Sequence, residues 1–268
     1  MSQPLLHRES VSGNGPFAFF VHGLLSSRVQ WRPNLDALAR HVRPVLIDLW
    51  GHGLSPSPSD DDHYTVAAYI EQFELIRWSL RASPVVMIAH SFGAGLAMQY
   101  AVRHPQHVRA LVVTSSVTAF ADRDDASMKA ALEHTAREVA TGGLDALRAL
   151  PMHPRRGRRL PESLRNELVA QADAVAPAAI IRATCITAPG LSTLHDLERI
   201  LCPVLLVNGR RESGFQKYRD IAEKRVPRCE VVDLDAGHAV NLEDPTGFDR
   251  VTAAFLARVL EGDDLPPS

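Results

Sequence analysis

The sequence has few cysteines, no long apolar run and no surplus of charge of either sign, and each shortage closes off a class of protein. Three of the 268 residues are cysteine (Cys185, Cys202 and Cys229), an odd number at spacings that suit neither a disulfide framework nor a zinc site. They are expected to be buried apolar filler in a reducing, cytoplasmic setting. No window approaches the roughly 20 apolar residues of a membrane span, and residues 1–8 lack the apolar core of a secretory signal. A net charge of −2, from 29 basic and 31 acidic residues, offers no field for nucleic acid or an anionic membrane surface. A glycine-rich phosphate loop is also missing. His90, His104 and His107 lie near one another but without spaced acidic or thiolate partners, so neither metal nor cofactor is expected.

What is present is alternation. Short apolar, β-branched runs recur at residues 17–21, 45–49, 85–89, 111–114, 204–207 and 231–234. Helical patterns fall between or after them, at 35–41, 66–80, 92–103, 218–226 and 247–260. Continuous apolar strands alternating with amphipathic helices indicate an α/β fold, a mostly parallel twisted sheet with helices on both faces. The alternation breaks once, over residues 117–199, where helical patterns and proline turns replace strands. An insertion at a strand's C-terminal end lies where open α/β sheets bind ligands, so this stretch is expected to be a helical cap, or lid. Residues 1–116 and 200–262 then form the core, and the proline-containing tail 263–268 is expected to be disordered.

The run from Val85 to Ala89 ends in His90-Ser91-Phe92-Gly93, with small residues two positions either side of Ser91. A serine at a strand-to-helix corner is held in a strained turn with its hydroxyl outward, and the closing backbones demand such neighbours. An ordinary helix-capping serine would look similar. A nucleophilic serine needs a base, and His238 follows the last apolar run, with Gly237 freeing the loop. The base needs a carboxylate on its other nitrogen. Glu212 leaves the end of the neighbouring run, although a displaced acid, or an ion pair of Glu212 with Arg210 or Arg211, is open too. Oxyanion donors are expected from the backbone N–H of Phe92 and, after the first long run, of Leu24.

These pieces resemble the α/β-hydrolase superfamily, from about residue 17 to 260. The matching segments are Phe20-Val21-His22-Gly23, Asp48-Leu49-Trp50-Gly51-His52-Gly53-Leu54-Ser55, Ala89-His90-Ser91-Phe92-Gly93, Gly209 to Glu212, and Gly237-His238. The resemblance implies an eight-stranded, mostly parallel sheet with a helical cap inserted after the sixth strand. It also implies a Ser91–Glu212–His238 triad with an oxyanion hole from Leu24 and Phe92. Around these, His22, Gly23, Leu25, His90 and Trp50 are expected to border the substrate. Ala89 replaces the first glycine of the nucleophile elbow, Trp50 stands where proline is usual, and Glu212 replaces the usual aspartate. The short N-terminal part leaves only residues 5–11 for an opening hairpin, so a strand is expected to be missing.

Serine rather than aspartate at position 91 points to acyl chemistry instead of dehalogenation or epoxide opening. Hydrolysis of a carboxylic ester or thioester leads, with transfer of the acyl group to another acceptor as an alternative. A third reading is C–C lyase chemistry. The segments around His22 and Asp48 are similar to the menaquinone-pathway synthase family, but that family carries an arginine where Gly95 stands here. A non-catalytic small-molecule receptor on the same fold is the reading from outside enzymology, and the intact triad counts against it. Arg155-Arg156-Gly157-Arg158-Arg159 is the most basic cluster: a solvated loop, or a dock for coenzyme A or an acyl carrier protein. Met128, Leu132, Leu144, Leu147, Leu150, Ile180 and Ile181 are apolar enough to line an acyl pocket, and are equally what a cap needs to pack on the core, so they identify no substrate.

Overall fold

In a computed structural model describing residues 4–262, each of the six apolar runs becomes a strand. They are β2 (Phe17–Val21), β3 (Arg43–Ile47), β4 (Val85–His90), β5 (Val108–Thr114), β6 (Val204–Gly209) and β7 (Cys229–Leu234), joined by a short edge strand β1 (Arg8–Ser10). The sheet order is β1-β3-β2-β4-β5-β6-β7. β1 runs antiparallel to β3, and every other neighbouring pair is parallel. The tail 263–268, expected to be disordered, lies outside the described residues.

The superfamily's eight strands less the one expected to be missing leave seven, and seven are found among the described residues. The segment before β1 leaves the sheet edge, where the Leu6 N–H donates to Gln72 Oε1 at 3.0 Å. Beyond β1 the chain turns through Gly15, at φ +69°, straight into β2. The long helical segment therefore follows the fifth strand of this sheet, not the sixth.

Strand residues alternate between two cores, as a two-residue side-chain period dictates. Phe19, Val21, Met87, Ala89, Leu111 and Val113 face α2 (Val66–Ser79) and α3 (Phe92–Arg103). Ala18, Phe20, Val86, Ile88, Ala110 and Val112 face the other way, toward Phe248, Phe255 and Leu256 of α10 (Pro245–Glu261). Each buried Phe, Leu, Ile or Val contributes about 1.5–3 kcal/mol, so the central strands are fixed against slippage. Smaller elements complete the core: α1 (Leu35–Leu38), α8 (Gln216–Arg225) and α9 (Val240–Glu243).

Between β5 and β6 lie α4 (Val117–Phe120), α5 (Ala126–Ala149), α6 (Glu162–Asp173) and α7 (Pro177–Arg182), and no strand. Asp125 caps α5 by accepting from the Ser127 and Met128 N–H groups, and Gly143, at φ +53°, kinks it. Arg148 grips Asp173 with two hydrogen bonds of 3.0 and 2.7 Å, tying α5 to α6. Val139, Leu147, Ala172, Val175 and Ile180 bury Leu25, from the loop after β2, in one apolar cluster. The segment thus packs on the sheet edge from which that loop emerges. Among the described residues no single helix is long and apolar enough to cross a membrane.

Candidate active site

β4 delivers Ser91 into a tight corner. Its backbone sits at φ +54°, ψ −117°, a region that costs a non-glycine residue about 1–3 kcal/mol. The Ser91 N–H donates to the Thr114 carbonyl of β5 at 3.0 Å, and α3 begins at the next residue. Gly93 is required here: a Cβ would stand 2.5 Å from the His22 carbonyl oxygen and 2.6 Å from that of Val21.

The neighbouring strand ends supply the base and the acid. His238 Nε2 lies 3.1 Å from Ser91 Oγ, and His238 Nδ1 lies 2.7 Å from Glu212 Oε1. With Glu212 as a carboxylate, Nδ1 must donate, leaving Nε2 free to accept the serine proton. The two loops are stitched together: the Arg210 and Arg211 N–H groups donate to the Leu234 and Ala236 carbonyls at 3.0 and 2.9 Å. Gly209 is indispensable to that approach, since a Cβ would lie 2.1 Å from the Gly237 carbonyl oxygen. Arg211 pairs with Asp235, not with Glu212. Glu212 Oε2 is buried with no hydrogen-bond partner.

Two backbone donors border the same space. Among the described residues the Leu24 and Phe92 N–H groups meet no acceptor. Phe92 opens α3, where the helix dipole concentrates positive potential. The Leu24 loop is set by two buried histidines. The Leu49 N–H donates to His22 Nε2 at 3.0 Å while His22 Nδ1–H donates to the Gly23 carbonyl at 2.7 Å. His52 does the same with the Leu25 N–H (3.3 Å) and the Trp50 carbonyl (2.8 Å). Burial holds both neutral, lowering His22 and bringing His52 to about 3. His90 is also held well below the usual range by burial, and next by His238, whose ring lies 4.7 Å away; its Nδ1 is 2.7 Å from Thr114 Oγ1.

A cavity of about 540 Å³ opens above Ser91. Gly23, Leu24, Leu25, His90, Ser91, Phe92, Glu212 and His238, eight of the ten residues singled out in the sequence, line its sheet side. His22 and Trp50 do not line it. Both are buried beneath it, His22 as a brace for the loop and Trp50 packed against Tyr69 and His63. Of the seven apolar residues that could line an acyl pocket or pack the cap, Leu132 lines the cavity, Leu147 and Ile180 pack inside the helical segment, and Leu144 is exposed. Met152, Leu160 and Leu168 form the wall instead.

Other lining residues gave no signal in the sequence. Ser115 Oγ is buried without a partner, on a residue at φ +42°. Gln30 reaches the cavity while its Nε2 donates to Asn241 Oδ1 at 3.1 Å. Cys202 is buried as expected, but Cys185 is exposed.

Away from the cavity, His104 and His107 do acquire an acidic partner, Glu74 from α2. That carboxylate is already engaged by Arg77 (2.9 and 2.8 Å) and by Tyr100. Burial pushes Glu74 up, but the hydrogen bonds from Arg77 and Tyr100 outweigh it and bring the group to about 2. A cation there would have to displace a guanidinium.

Comparison with known proteins places this geometry in context. A Bacillus subtilis protein provisionally named 2-succinyl-6-hydroxy-2,4-cyclohexadiene-1-carboxylate synthase is 27% identical, across 94% of this chain and 96% of its own. Among solved structures, MenH from S. aureus superposes with a TM-score of 0.83 at 18% identity, covering 94% of this chain and 98% of that one. An esterase from Exiguobacterium antarcticum gives 0.80 at 17% identity, over 94% and 96%. At such identities the structures establish the fold and not the reaction. The model of the alpha/beta hydrolase fold family matches residues 19–245, and the chain belongs to that family.

Proposed function

We propose that the protein is a serine hydrolase that cleaves a carboxylic ester or thioester through an acyl-Ser91 intermediate. The observation that carries this reading is the unbroken line from Ser91 Oγ through His238 to Glu212, opening on a mostly apolar cavity. His238 Nε2 takes the hydroxyl proton as Ser91 Oγ attacks the acyl carbon, and Glu212 stabilises the imidazolium. The carbonyl oxygen takes up the negative charge between the Leu24 and Phe92 N–H groups; one such donor is worth roughly 10²–10³ in rate. Collapse expels the alcohol or thiol with the proton from His238. Water then attacks the acyl-serine by the same route.

Residues 117–199 act as a cap that closes the cavity, over a core of residues 1–116 and 200–262. The substrate is a small acyl ester or thioester, with coenzyme A or an acyl carrier protein as leaving-group carriers. Three free cysteines suit a reducing, cytoplasmic setting. The full-length similarity to a synthase keeps a lyase as the second reading. Position 95 disfavours it: Gly95 stands where that family carries its arginine, and a Cβ there would lie 3.2 Å from Leu191 atoms, so that Leu191 would have to shift to admit a side chain.

A panel of p-nitrophenyl esters, acyl thioesters and lactones, run beside Ser91→Ala, tests the proposal. Turnover of one class by the wild type and its loss in the variant is expected. Equal background rates for both proteins would remove it.

A further inference from the structure

Arg155, Arg156 and Arg158 surround a second hollow, of about 440 Å³, on the rim of the helical segment. Arg156 lines the catalytic cavity as well, so the two spaces share a wall. Among the described residues none of the three guanidiniums is paired with a carboxylate. Arg159, the fourth, is engaged with Glu243, whose Oε2 also accepts the Gly237 N–H beside His238. The arginines do not ride on a slack loop. His153 and Leu160 anchor the turn by burial at either end, and Gly157 and Leu160 N–H groups close it on the Pro154 and Gly157 carbonyls at 2.8 and 3.1 Å. Arg156 is held further by donating to the Ala149 carbonyl at 2.9 Å.

Three guanidiniums that line one hollow without a carboxylate partner offer N–H donors to an anion, the arrangement that suits a phosphate. The hollow adjoins the reaction cavity but is not part of it. We infer that Arg155, Arg156 and Arg158 form a subsite for a phosphate borne by the leaving group of the substrate, so that the acyl end reaches Ser91 while the phosphate stays at the rim. This rests on the serine hydrolase reading above and names the class of substrate within it: an ester or thioester whose leaving group ends in a phosphate.

Calorimetric titration of the full chain tests this by binding alone, using coenzyme A, which carries phosphates, against pantetheine, which carries none. The wild type is expected to bind coenzyme A at least about tenfold more tightly at low ionic strength, with most of that preference lost in half-molar salt. Arg155→Gln with Arg158→Gln should cut the preference to about threefold, and adding Arg156→Gln should erase it. The salt titration on the wild type reads the same property without relying on any variant's folding. Equal binding of the two ligands by the wild type, or a preference that survives salt or the triple substitution, would overturn the inference. An intact preference without Ser91 reactivity would overturn the hydrolase reading alone; the reverse would overturn only this subsite.

Discussion

The two walls of the cavity are built on different terms. On the sheet side, Ser91, Glu212 and His238 follow the C-terminal ends of the parallel strands β4, β6 and β7, and β5, between the first two, supplies the Thr114 carbonyl to Ser91. Their spacing follows from strand register, with glycines at 93 and 209 where backbones meet at distances no side chain fits. On the helical side, Leu132, Met152, Leu160 and Leu168 come from separate turns whose relative placement depends on side-chain packing and on the Arg148–Asp173 pair. A wall set by register is rigid and suited to chemistry. One set by side-chain packing can change with little cost to the fold, and suits selection among substrates.

The largest effect should come from the rigid wall. Ser91→Ala is expected to lower kcat by about 10³ or more while leaving the melting temperature nearly unchanged, as assayed on the best ester of the panel. Glu212→Gln should lower kcat by roughly 10²–10⁴ with KM little altered, because the amide no longer fixes the tautomer of His238. Near-wild-type turnover would hand the orienting role to another residue.

Gly93→Ala tests whether register alone holds that wall. The added methyl meets two carbonyl oxygens of the β2 loop, so a loss of about 1–3 kcal/mol in denaturant unfolding is expected, with kcat falling as the Phe92 N–H shifts. In the helical wall, Met152→Ala should leave stability intact, since Met152 is already 41% exposed, and raise KM roughly tenfold for long acyl chains but not for acetate. Equal effects on both would mean that this wall does not select.

A smaller effect belongs to the polar ladder Gln30–Asn241–Asn34–Asp249 that links the cavity wall to α10. Burial raises Asp249 to about 6, despite the hydrogen bond from Asn34. A carboxyl raised on folding favours the folded state at low pH and loses that contribution as pH rises from about 4 through 6. Asp249→Asn should therefore raise the melting temperature above pH 6 and progressively less toward pH 4.

The same contrast decided what was legible in the sequence. The strands and the Ser91 corner could be read because apolar runs, small neighbours and flanking helices are local features. Glu212 and His238 could be read because parallel strands deliver successive loops to one edge. The places of His22 and Trp50 could not: whether a loop side chain faces the cavity or braces it depends on partners such as the Leu49 N–H, 27 positions away. Gln30 was invisible for the same reason, since its partner Asn241 is 211 positions distant. The helical wall stayed open because amphipathic periodicity tells that Leu147 and Ile180 are buried, but not against what.

The central claim is that Ser91 is a nucleophile activated by His238. Treating the folded protein with a fluorophosphonate and mapping the adduct by mass spectrometry tests it most directly. The account predicts a single stoichiometric adduct on Ser91, absent in Ser91→Ala and formed far more slowly in His238→Ala. A folded wild-type protein that stays unlabelled, or that labels equally fast without His238, would contradict it.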